Sequence, residues 1–120
     1  MNVPVFSHSA CLAHDTGPTH AECPARLDAV TAGLRDTWPD LEWREAPRAT
    51  RGQLLRVHSE SLLHTVLETK PHERIWLDPD TILSPASAEA GLRAAGAVVA
   101  AVELVLNGEA KRAFCAVRPP

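Results

Sequence analysis

The sequence predicts an α/β protein in which helices flank the strands of a parallel sheet. Three observations lead there. Short apolar segments at 3–6, 41–46 and 111–117 are separated by stretches whose apolar residues recur at helical spacing. A long apolar stretch rich in Ala and Gly, closed by Asn107-Gly108, can lie close against a sheet. The last apolar segment runs into Arg118-Pro119-Pro120, which forces an exit loop at a strand's carboxyl end, where α/β proteins usually place their functional groups.

Residues 3–6 predict a short strand, with Pro4 marking a strand start or a sheet edge. Residues 7–23 form a polar, His-rich loop broken by Gly17 and Pro18, and loops of that length are usually functional. Pro24 opens a helix whose buried face carries Leu27, Val30 and Leu34, and residues 36–39 end it. Residues 41–46 alternate apolar and polar, as a half-buried strand does. Thr50 and Gln53 have capping-box spacing and open a helix bearing Leu54, Leu55 and Val57. Ser59 caps another, with Leu62, Leu63, Val66 and Leu67 inward and Pro71 at its end. Residues 73–84 read as a loop. Ser84-Pro85 then starts a helix of roughly 22 residues, ~33 Å long, with Glu89 and Arg93 paired at its exposed start. That helix is apolar nearly all round, so something beyond these residues is expected to cover it.

Length and charge exclude several classes. The 120 residues make one domain at most, and hydrophobic residues at 45% suffice for a core filled by Ala, Leu and Val. A net charge of −3 supplies no basic field for nucleic acid. Residues 94–102, between Arg93 and Glu103, fall far short of the ~20 that a membrane span needs, and residues 1–6 lack a secretory signal pattern. Three cysteines without framework spacing fit a reducing, cytoplasmic setting.

The loop bounded by Cys11 and Cys23 holds His14, Asp15, His20 and Glu22, so Cys11, His14, His20 and Cys23 could close a tetrahedral zinc site; equally, these groups could bond local backbone. Asp78 and Asp80, two apart before a helix, could stabilise that helix's N-terminus or offer a rim carboxylate to a substrate. Arg26, a cation at a helix start, is either solvated or held by a specific anion or carbonyl. His58 reads as a structural residue at a helix entry, and His64 and His72 as surface residues. No glycine-rich phosphate loop and no His-Glu-x-x-His occurs.

Taken in order, several phrases resemble one family: Cys11-Leu12-Ala13-His14-Asp15-Thr16-Gly17-Pro18-Thr19-His20-Ala21-Glu22-Cys23-Pro24-Ala25-Arg26-Leu27, then Arg56-Val57-His58-Ser59, then Asp78-Pro79-Asp80-Thr81 with Ser84-Pro85-Ala86-Ser87 and Ala94-Ala95-Gly96-Ala97, and finally Ala116-Val117-Arg118-Pro119-Pro120. Together they are similar to the amino-terminal part of the histone deacetylase superfamily, in its bacterial branch of deacetylase-like amidohydrolases, acetylpolyamine amidohydrolases and acetoin-utilisation proteins. The resemblance implies a partial arginase-like α/β fold over 1–120 and a parent enzyme that hydrolyses an acetyl-lysine or acetyl-amine amide with zinc. By the same resemblance, Asp80 grips the substrate at the rim and Arg26 lines an internal cavity below the metal. The histidine pair of a following Gly-His-His motif and the zinc ligands would come later, so the chain is expected to hold no catalytic residue and no metal, and to be inactive alone. Thr19 and Ala21 stand where the family usually has glycine and proline. Two other expectations stay open: a non-catalytic binding module that self-associates through uncovered strand edges and apolar faces, and a small zinc protein using the Cys/His loop.

Overall fold

A computed structural model describes residues 3–120; Met1 and Asn2, part of the start read for a signal pattern, lie outside the described residues. Three strands, β1 (Val5–Ser7), β2 (Trp43–Glu45) and β5 (Phe114–Cys115), form a parallel sheet in the order β2-β1-β5. β1 is therefore central, and Pro4 marks its start rather than an edge. Val5 pairs with Trp43 on one side and with Phe114 on the other. The last strand is shorter than the 111–117 segment, because only the amides of Phe114 and Ala116 reach β1, at Pro4 and Phe6 carbonyls.

Alternation along β1 decides the layers. Val5 faces Cys11, Leu27 and Ala116, against which Val30 and Leu34 of α2 (Pro24–Thr37) pack. Phe6 faces the opposite way, into Ala97, Ala101 and Leu104 of α5 (Ser87–Leu106). The sheet is thus sandwiched between two helices, as parallel sheets require. The small residues of α5 permit close approach, and Gly96 shows how close: a Cβ there would lie 1.9 Å from the Pro47 carbonyl oxygen. The segment after β2 crosses the helix at that point, and the Ala49 amide donates to Leu92 O at 2.9 Å.

Local signals placed most boundaries. Thr50 and Gln53 form the reciprocal capping box of α3 (Arg51–Leu55), and Ser59 caps α4 (Glu60–Leu63), which continues as a π-helical turn over His64–Glu68. Glu89 pairs with Arg93 at 2.9 Å as expected and also takes Arg48. Val57 falls beyond the end of α3 and is exposed, and Leu62 is 42% exposed rather than inward, because the face of α4 that meets the core runs through Leu63. Three larger features also differ from expectation. The His-rich loop contains a short helix, α1 (Ala10–Ala13), that packs between α2 and α5. The 73–84 segment is an antiparallel hairpin, β3 (Ile75–Asp78) and β4 (Thr81–Leu83), rather than an irregular loop. Ser84-Pro85 forms a turn closed by Ser87 N–H on Ser84 O, so α5 begins three residues after Ser84.

One face of α5 remains open: Val98, Val102 and Leu106 are 50%, 51% and 79% exposed. The helix is buried on one side only within this chain, in line with the expectation that its apolar circumference exceeds what these residues cover. No helix among the described residues is long and apolar enough to cross a membrane. The three cysteines are free.

Candidate functional site

β1 and β5 are parallel neighbours, so their carboxyl ends lie at the same edge of the sheet. The carboxyl edge is the usual ligand position in a parallel sheet. The Ser7 hydroxyl donates to Ala116 O at 2.8 Å and ties the two strand ends together. Arg118 follows, with no exposed side-chain surface. Its Nε and Nη2 donate to the two oxygens of Glu22 at 3.0 and 2.9 Å, and Nη1 donates to the carbonyls of Cys11 and His14 at 2.8 and 2.6 Å. One guanidinium therefore fixes α1, the His-rich loop and the chain's last turn relative to each other, with the planar fork matched to a carboxylate.

Burial alone would raise the Glu22 carboxyl. The hydrogen bonds and charge of Arg118, and then those of Arg26, outweigh it and hold the group below the usual carboxylate value. Arg26 finds both partners that its position called for: Nε donates to Glu22 Oε1 at 3.2 Å and Nη2 to Val117 O at 3.1 Å. It is not among the residues lining the cleft that contains Asp80, and reaches that cleft only through Glu22.

A second chain of bonds joins the loop to the start of α5. Asp15 N–H donates to Ser84 Oγ, Ser84 N–H donates to Ser87 Oγ, the two hydroxyls are 2.8 Å apart, and Ser87 Oγ lies 2.7 Å from His14 Nδ1. Ser84 donating to Ser87 and Ser87 to His14 gives each of these hydroxyl protons an acceptor, which places the His14 proton on Nε2. Burial, then the Arg118 charge, lowers the His14 pKa and favours this neutral form.

The hairpin separates the two aspartates into different roles. Asp78 Oδ1 accepts from Asp80 N–H at 2.8 Å and Oδ2 from the Thr81 hydroxyl at 2.9 Å, so its carboxylate builds the turn. These bonds depress the Asp78 pKa, the Asp80 amide first. The expectation of a helix-capping pair is corrected: the carboxylate of Asp78 serves the hairpin, and Ser87 Oγ rather than an aspartate accepts near the start of α5. The Asp80 carboxylate has no hydrogen-bond partner among the described residues, and Asp80 lines a cleft of about 290 Å³ together with His14, His20, Glu22, Pro119 and Pro120. Val66, Leu77, Ile82 and Leu83 give it apolar walls. The result is a slot suited to an apolar chain that also carries a hydrogen-bond donor.

The candidate zinc loop does not assemble. Among the described residues no three His, Cys, Asp or Glu side chains converge on a possible metal position. Cys11 is buried in the core below α2, His14 is bonded to Ser87, and Cys23 sits at the N-terminus of α2. The zinc implied by the family resemblance thus finds no fitting donor set among the described residues. His58 is exposed beside Leu54 and Leu62, and His64 pairs with Glu68 on the surface. Sequence reasoning gave Arg118 no role in the site and named no partner for Glu22. The available signal was an arginine placed between an apolar strand and two prolines, where a solvated cation has no obvious outlet.

Comparison with known proteins agrees with this architecture. The histone deacetylase domain family matches residues 20–120. A probable deacetylase of Archaeoglobus fulgidus is 32% identical over 97% of this chain and 33% of its own length. A histone deacetylase-like amidohydrolase of Pseudomonas aeruginosa is 36% identical over 96% of this chain and 35% of its own length. The crystal structure of the HDA15 HD domain superposes on all of this chain with a TM-score of 0.92 at 27% identity, the chain covering 36% of it. The chain spans about a third of the length of these relatives. With this fold and this match over five sixths of its residues, the chain belongs to the histone deacetylase family.

Proposed function

We propose that this chain forms one wall of the substrate cleft of a zinc-dependent deacetylase domain that hydrolyses N-acetyl amides, of acetyl-lysine or an acetylated polyamine. In this reading, residues 1–120 supply neither the metal ligands nor the general base of that domain. Asp80 accepts N–H groups of the bound substrate at the rim, and Arg26 with Glu22 and Arg118 braces the wall of the internal cavity. The supporting observation is the division of labour in the hairpin: Asp78 is committed to the turn, while Asp80, whose carboxylate has no partner among the described residues, lines a slot with apolar walls. Alone, the chain is inactive and self-associates through the exposed side of α5.

The reading is tested by replacing the matching first third of the Pseudomonas aeruginosa amidohydrolase with residues 1–120 and assaying an acetyl-lysine peptide. A working hybrid is expected to lose at least tenfold in kcat/KM on Asp80→Ala, a change of about 1.4 kcal/mol or more. A soluble, active hybrid indifferent to Asp80→Ala contradicts it.

A further inference from the structure

The free carboxylate of Asp80 can act at a defined place only if its backbone is held, and one of the holding bonds comes from the His-rich loop. His20 makes two hydrogen bonds whose directions are not negotiable. The Glu22 backbone N–H donates to His20 Nδ1 at 3.0 Å, so that nitrogen carries a lone pair. Its Nε2 lies 2.9 Å from the Asp80 carbonyl oxygen, which can only accept, so Nε2 carries the proton. Unlike His14, whose partner is a rotatable hydroxyl, His20 has its tautomer dictated by main-chain groups at both ends. Asp78 secures the amide side of the Asp80 residue, and His20 secures the carbonyl side from 60 residues away.

We propose that His20, as the neutral Nε2–H tautomer, is a positioning residue that locks the Asp78-to-Thr81 turn to the His-rich loop and so fixes the backbone from which the Asp80 carboxylate projects. The loop end of this strut is itself rigid. Glu22 is clamped by the buried Arg118, and its carbonyl accepts from the Thr16 hydroxyl. A line of directional bonds therefore runs from the sheet's carboxyl edge to the rim. The strut's consequence for substrate rests on the role given above to Asp80; its existence does not.

The test is NMR on the chain itself with ¹⁵N-labelled histidine. Long-range ¹H–¹⁵N spectra are expected to show His20 with an unprotonated Nδ1 and a protonated Nε2. His20→Gln keeps a donor at the ε position and should leave the Asp80 and Thr81 amide signals close to wild type. His20→Asn, too short to reach Asp80, and His20→Ala should both move and broaden those signals, while the capping-box amides at Thr50 and Gln53 stay in place. A Nδ1–H tautomer overturns the proposal. So does an Ala variant with unmoved Asp80 and Thr81 signals, or equal disturbance by Gln and Ala. The role of Asp80 is judged separately: Asp80→Ala keeps the carbonyl that His20 grips, so if it leaves acetyl-lysine hydrolysis by the hybrid domain untouched, the substrate reading fails and the strut survives.

Discussion

Glu22→Gln isolates the bond that holds the site together. The change is nearly isosteric, yet it removes the charge facing a guanidinium with no exposed surface. Wild type makes two parallel bonds at 3.0 and 2.9 Å, and an amide can supply only one acceptor while turning its NH₂ toward an N–H donor. Removing one partner of a buried ion pair costs about 3–5 kcal/mol, because the remaining charge stays desolvated. Glu22 itself keeps 17% exposure, and Arg118 retains the Cys11 and His14 carbonyls, so the low end of that range, about 3 kcal/mol, applies. Urea unfolding followed by circular dichroism should show the midpoint falling by about 2 M, taking a slope near 1.5 kcal/mol/M for a chain of this size. Complete loss of the folded baseline is the same outcome in a chain of lower stability. Replacing both partners by Met should recover only part of the loss, since two carbonyls then stay buried without a donor. A Gln variant within 0.5 kcal/mol of wild type would refute the assignment of Arg118–Glu22 as the clamp.

Three further outcomes follow from the same geometry. Gly96→Ala should destabilise by about 3 kcal/mol in the same urea assay, because its Cβ meets backbone of the crossing segment, whereas Gly33→Ala, with nothing within 4 Å, should stabilise by about 0.5–1 kcal/mol through helix propensity. Stability should fall on acidification: the folded pKa values of Glu22, Asp15 and Glu89 are depressed, so their contribution is present above the ordinary carboxylate range and lost as pH drops through the lower folded values. His14 acts in the same direction from a higher starting point, since charging it is penalised in the fold once pH drops below 6.5; a Tm flat from pH 7 to 5 would contradict the His14 part, and one flat from pH 5 to 2 the carboxylate part. Light scattering at rising concentration should show association, and Val98→Lys with Val102→Lys should reduce it; a wild-type monomer across the range would refute an adhesive α5 face.

Much of the architecture was written in local patterns. Leu27, Val30 and Leu34 announced the face of α2 that meets the sheet, and the caps at Thr50 and Ser59 placed the starts of two helices. The hairpin escaped because charge and proline interrupt its apolar residues, although Asp78-Pro79-Asp80-Thr81 is itself a turn signal. The site was less legible, for a physical reason. Arg118 takes its carbonyl acceptors from residues 104 and 107 positions away, and no periodicity within a window encodes such a pairing. Asp80 and Asp78 look equivalent in composition; only the turn's hydrogen bonds show which carboxylate is left over.

The proposed role is that of a wall that shapes the cleft and grips substrate, with the hydrolytic groups supplied from outside these residues. Incubating the folded chain with zinc and an acetyl-lysine peptide and measuring released acetate tests this directly. No release above the buffer rate is expected, and turnover abolished by a chelator would contradict the account.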